Sequence, residues 1–133
     1  VEDKIYIFGG WNCAQQLDDV FILHTDTMVW SALPDCAFEL PRWNMSAVAV
    51  WAVPSWKIFI FGGNSGDLQD NNTSPQGTYL NDTRVLDTGT KEWWSPSIRG
   101  NKPSPRSDTE VIILRIGPLP SASMLTPRSP GRL

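Results

Sequence analysis

Apolar residues in this chain fall in short runs rather than helical stripes. Lys4-Ile5-Tyr6-Ile7-Phe8 is one such run, and it ends in Gly9-Gly10. A short apolar run bounded by glycine predicts a strand, here one buried on both faces. The glycines release the chain into a turn that other residues reach only with strain. Residues 11–17 read as a loop and residues 19–23 as the next strand. Thr25-Asp26-Thr27 predicts a turn, because short polar side chains bond to nearby backbone groups. Residues 28–32 give an outer strand, and residues 34–41 a linker bounded by Pro34 and Pro41. Residues 45–53 are largely apolar, and the small or β-branched Ala47, Val48, Ala49 and Val50 suit an inner, crowded strand. Pro54-Ser55 turns the chain into residues 57–61. Residues 64–79, rich in Gly, Asn, Asp, Ser and Thr, read as a loop. Residues 84–86 and 91–94 complete this group of strands, and residues 111–114 begin another.

The runs recur in order. Lys57-Ile58-Phe59-Ile60-Phe61-Gly62-Gly63 repeats the first run 53 positions on (10 to 63). Leu17-Asp18-Asp19-Val20-Phe21-Ile22-Leu23 is matched by Leu80-Asn81-Asp82-Thr83-Arg84-Val85-Leu86. Trp30 and Trp93 each stand seven positions past the last leucine, and Pro41-Arg42 and Pro105-Arg106 follow. Gly10 to Leu17 is seven steps and Gly63 to Leu80 is seventeen, so the second copy carries ten extra residues in one loop. A period near fifty built of strands predicts propeller blades, which are usually platforms for binding. Trp30 and Trp93 are expected in equivalent places, each buried in its blade, with loss of either ring costing about 3–5 kcal/mol.

This ordered set resembles the Kelch repeat: a strand with Gly-Gly, a Leu-Asn-Asp-like strand, Asp-Thr-x-Thr with Trp, then Pro-x-Pro-Arg. The resemblance covers roughly residues 3–114. It departs from the pattern at His24, where the second copy has Asp87, and at Thr83-Arg84, which replace Val20-Phe21. It implies an all-β, partial Kelch-type β-propeller of four-stranded blades. Strands for about two blades are too few to close a ring of four to eight. Residues 1–114 form the blades. Residues 115–133, rich in Pro, Ser and Arg, form an extended or disordered tail. The structural markers are Gly9, Gly10, Gly62, Gly63, Trp30, Trp93, Asp19, Asp82, Arg42 and Arg106. In Kelch-like blades the Asp19/Asp82 position ties a loop to a strand. Arg42 and Arg106 suit bidentate bridges to such aspartates between blades, a solvated arginine being the plainer alternative.

Seven tryptophans and 41% hydrophobic content fit a globular β protein. Net charge is −3, divided between +3 on residues 115–133 and −6 on the rest. An acidic body argues against nucleic acid as the main partner. No apolar run approaches the ~18 residues that span a bilayer. Val1-Glu2-Asp3 leads straight into a strand, with no secretory pattern. Cys13 and Cys36 lack metal-ligand spacing and read as free thiols, a single disulfide being the alternative. Sequons at Asn44, Asn71 and Asn81 read as chance matches in a cytosolic protein.

Chemistry-bearing clusters are sparse. His24, the single histidine, reads as a polar turn residue that bonds to the backbone. Copper oxidases of the Kelch-like type use two histidines and tyrosines. One histidine, with Tyr6 and Tyr79 placed elsewhere, makes that function the least favoured. Gly62-Gly63-Asn64-Ser65-Gly66 lacks the Lys-Ser/Thr and the helix of a phosphate loop, and reads as a turn. Asp67, Asp70, Asn71 and Asn72 carry oxygen donors but lack the spacing and glutamate of a calcium loop. The expectation is a non-catalytic protein-interaction scaffold without metal or cofactor. Its candidate contact loop carries Asn64, Asp67, Leu68, Asp70, Asn72 and Tyr79. The partners would be other protein chains, within a larger chain or complex, with no nucleic acid and no membrane. The alternative is a structural segment of a cytoskeletal or ciliary assembly, since residues 41–93 faintly resemble Kelch blades of dynein heavy chains. The expected location is cytoplasmic, cytoskeletal or ciliary. Bare blade faces predict that the isolated chain aggregates or stays partly unfolded.

Overall fold

The computed structural model describes residues 3–33, 41–65 and 78–110. Every regular element among them is a strand: β1 (Lys4–Trp11), β2 (Gln16–His24), β3 (Val29–Ala32), β4 (Ser46–Ala52), β5 (Ser55–Phe61), β6 (Thr83–Asp87) and β7 (Trp93–Trp94). They form two antiparallel meanders, β1-β2-β3 and β4-β5-β6-β7, in an open all-β arrangement. The linker at 34–40, the loop at 66–77, the strand expected at 111–114 and the tail lie outside the described residues.

Register shows the duplication residue by residue. Ile5 faces Leu23 as Ile58 faces Leu86, and Leu23 faces Trp30 as Leu86 faces Trp93. Because side chains alternate across a strand, one face of each sheet carries the isoleucines of its Gly-Gly strand, Ile5 and Ile7 or Ile58 and Ile60, and the other carries that strand's aromatics, Tyr6 and Phe8 or Phe59 and Phe61. The aromatic face of the first sheet packs on the isoleucine face of the second. Phe8, Val20, Ile58, Ile60 and Leu86 form the shared core, flanked by Tyr6, Leu33, Met45, Ala49 and Trp93. Phe8 meets Trp93 edge to face, with ring centroids 5.7 Å apart.

Four expectations need correction. β1 is not buried on both faces: Ile5 and Ile7 are 51% and 46% exposed, because no sheet among the described residues covers the isoleucine face of the first meander. Trp30 is 51% exposed for the same reason, although it holds the register position of the partly buried Trp93. The loop at 11–17 contracts to a tip at 12–15, since Gly10 pairs with Leu17 and Trp11 with Gln16. Gly9-Gly10 therefore lie within β1, at an irregularity in register between Phe8 and Gly10, whereas β5 stops at Phe61 before Gly62. His24 bonds to a side chain, with Nε2 3.0 Å from Ser31 Oγ on β3.

Candidate protein-interaction face

The glycine pairs, the Pro-Arg segments and the two ends of the long loop converge at one end of the sheets. The Arg42 N–H donates to Leu17 O, and Gly10 N–H donates to Arg42 O. One repeat later the Arg106 N–H donates to Leu80 O, and Gly63 N–H to Arg106 O. Each Pro-Arg segment thus crosses directly over its own Gly-Gly. The crossing explains the glycine. A Cβ on Gly9 would stand 2.6 Å from Leu17 O and 2.8 Å from Arg42 O, and one on Gly62 would stand 2.6 Å from Arg106 O. Both also hold left-handed φ angles of 47° and 64°.

Arg42 then turns its side chain toward the next sheet. Its Nη1 and Nη2 donate to Asp82 Oδ1 and Oδ2 at 2.8 and 2.9 Å, and Nη1 also donates to Gly62 O at 3.1 Å. Arg42 is only 2% exposed while Asp82 is partly exposed, so this fork is a half-buried tie between successive repeats. The other marker pair is not brought together. Arg106 lies exposed against Ser104, and among the described residues Asp19 enters no ion pair.

At the opposite end the two repeats diverge. Asp87, where the first repeat has His24, takes an ion pair from Lys57 and a 2.5 Å hydrogen bond from Ser55 Oγ. The Gly89 N–H adds a bond of 2.8 Å. The Lys57 ammonium foremost, then the Ser55 hydroxyl, hold the Asp87 carboxyl well below the usual carboxylate range. Lys57 Nζ also donates to Ser55 Oγ at 2.7 Å, and the cluster closes the turn after β6. Among the described residues no group of three or more His, Cys, Asp or Glu is placed to hold a metal ion. Cys13 is exposed with a free thiol, and Cys36 lies outside the described residues.

The long loop springs from a tied neck. Asn64 exchanges backbone bonds with Trp43 at 3.0 and 2.8 Å and bridges to Tyr79 on its other side. Leu80 N–H donates to Gly63 O, and Ser65 N–H to Thr78 O at 3.1 Å. The first repeat has the matching bond, Asn12 N–H to Gln15 O at 3.2 Å, so the longer loop is inserted beyond a hairpin end that both repeats share. Asn64, read from sequence as a contact residue, is buried and anchors the neck instead. Tyr79 is exposed beside it. Asp67, Leu68, Asp70 and Asn72 lie outside the described residues. Sequence reasoning missed Trp43, whose place right after Pro41-Arg42 was the available signal.

Beside the neck, a groove of about 560 Å³ is lined by Phe61, Asp82, Thr83, Ile98 and Pro103, among others. It borders the Arg42–Asp82 tie, and Asn81 Nδ2 donates to Pro103 O along its wall.

Comparison with known proteins agrees with this geometry. The profile of the KLHDC2/KLHL20/DRC7 Kelch-repeats domain matches residues 1–116. The chain is 32% identical over 114 residues to the dynein alpha chain of the flagellar outer arm from Chlamydomonas reinhardtii, covering 83% of this chain and 2% of that protein. It is 33% identical over 108 residues to acyl-CoA-binding domain-containing protein 4 from Arabidopsis thaliana, covering 80% of this chain and 14% of that one. Identity to the human Rab9 effector protein with kelch motifs is 29% over 104 residues, 78% of this chain and 26% of the effector. The chain thus spans a small part of each of these relatives.

Proposed function

The chain belongs to the Kelch-repeat family, and on that footing we propose that it is a pair of propeller blades serving as a non-catalytic scaffold for protein–protein interaction. The observation that carries this reading is the tied neck at Trp43, Asn64 and Tyr79. It ties together the two ends of the segment that carries the ten-residue excess of the second repeat, beside the Arg42–Asp82 fork. Long loops on rigid scaffolds are where binding concentrates. The partners are other protein chains, and the blades work within a larger chain or complex. Among the described residues no helix is long and apolar enough to cross a membrane.

Deleting residues 67–77 tests the loop. The melting temperature should stay within a few degrees while co-purification of at least one native partner is lost. Retention of every native partner would sink the proposal.

A second reading has its own support. The likeness to a flagellar outer-arm dynein chain favours a structural segment of a ciliary or cytoskeletal assembly. Tagged protein should then co-sediment with salt-washed axonemes; tagged protein found wholly in the detergent-soluble fraction would remove this reading.

A further inference from the structure

The two Pro-Arg segments make the same backbone bonds but differ in what meets the arginine. In Glu39-Leu40-Pro41-Arg42 the guanidinium forks onto the Asp82 carboxylate. In Pro103-Ser104-Pro105-Arg106 it turns back on its own segment. Arg106 Nε donates to Ser104 O and Nη2 to Ser104 Oγ, both at 3.0 Å. A cation thus stands against a hydroxyl where the first repeat sets a cation against an anion.

The hydroxyl is also displayed. Ser104 is exposed and lies outside every strand. Proline on its C-terminal side pushes it toward extended backbone, the form in which a kinase cleft takes its substrate. Both flanks are tied to the end of the second sheet: Asn81 Nδ2 donates to Pro103 O at 3.2 Å, and Arg106 N–H to Leu80 O at 2.9 Å. The surroundings suit an anion. Between Glu92 and Asp108 the chain carries Arg99, Lys102 and Arg106 and no acid. Asp108 itself accepts a 2.8 Å bond from Ser107 Oγ.

We propose that Ser104 is a phosphorylation site for a proline-directed serine/threonine kinase and that Arg106 seats the phosphate. Such kinases select serine by the proline after it, a residue with no N–H left to satisfy in the cleft. The γ-phosphoryl group of ATP passes to Ser104 Oγ. The bond from the γ-phosphorus to the bridging oxygen breaks, the bond from phosphorus to Oγ forms, ADP leaves, and the hydroxyl proton goes to the kinase's base and then to solvent. The new group carries about two negative charges and three strong acceptor oxygens. It gives Arg106 the anion that Asp82 gives Arg42, within reach of a bidentate fork. The three cations of the segment less these two charges leave about +1. Lys102 and Pro103 line the groove beside the neck of the long loop, so the change in charge falls at the rim of that groove.

The test treats the full 133-residue chain with ATP and a mitogen-activated protein kinase, maps the product by fragment mass spectrometry and titrates the phosphate by phosphorus NMR. Ser104 should be modified, and Ser104→Ala should lose that phosphate, which assigns its resonance. The Ser104 phosphate should titrate about half a pH unit lower in the wild-type chain than in Arg106→Gln, because the guanidinium favours its dianion. Arg106→Lys keeps the charge without the fork and should fall between the two. A chain modified at Ser95, the other Ser-Pro among the described residues, and not at Ser104 would overturn the proposal. A Ser104 phosphate that titrates alike in the wild type and in Arg106→Gln would overturn the seat.

Discussion

Ile5 and Ile58 hold the same place in successive repeats, as do Ile7 and Ile60, yet their surroundings are opposite. Ile5 and Ile7 are 51% and 46% exposed, Ile58 and Ile60 only 3% and 0%. Strand pairing, register and alternation are shared. What differs is whether another sheet lies against the isoleucine face. The comparison separates two things that one sequence pattern encodes together. Local pattern sets which residues share a face, and the neighbouring sheet decides whether that face is core.

The widest difference is expected in paired truncations. Ile60→Ala should destabilise the chain by about 2–5 kcal/mol, from the lost burial and the cavity left behind. Ile7→Ala, at the mate position, should stay within about 1 kcal/mol. Chemical denaturation of both variants measures the gap, and equal losses would mean that something covers the first sheet in solution. Trp93→Ala should cost about 3 kcal/mol through its contact with Phe8. Trp30→Ala should cost about 1 kcal/mol or less. The arginines give a smaller pair. Removing the Arg42 fork should cost about 2 kcal/mol, since Asp82 is partly exposed and regains water. Arg106→Ala should change little, because its side chain is exposed and bonds only to Ser104 among the described residues, and the backbone bonds of residue 106 survive the substitution.

The smallest contrast is in acid. The Asp87 carboxyl is held below its usual range when folded, so its ionised form favours the folded state. That contribution is complete above the unfolded value near pH 4 and fades as pH falls toward the lower folded value. Asp87→Asn should therefore flatten the acid limb of the stability profile below about pH 4. His24→Asn in the first repeat should leave that limb unchanged. A fluorescence melt series from pH 2 to 7 distinguishes them.

Much of the architecture was legible in the sequence because its signals are local. Gly9 and Gly62 mark where a backbone crossing leaves no room for Cβ, and the Leu–Trp spacing sets Trp30 and Trp93 in equivalent register. Burial of Ile5 and Trp30 was misread because it depends on a partner sheet that no window of residues describes. The fate of Asn64 was hidden for a related reason. Its composition is that of a loop, but Trp43, twenty-one positions earlier, draws its backbone into a bridge. Arg106 repeats the motif of Arg42, yet the aspartate it would reach is not among its described contacts.

The tied neck makes the segment between Ser65 and Thr78 a natural splice point. Its two ends are already held 3.1 Å apart by the Ser65–Thr78 bond, beyond a ladder fixed at Asn64 and Tyr79. Lengthening a loop between tied ends costs about 0.6 kcal/mol of closure entropy for each doubling of length. Lengthening or replacing the segment is expected to leave the register of the strands below unchanged, because that register is fixed by their own ladders. A library built between those two residues would vary what the scaffold displays without re-solving how it folds.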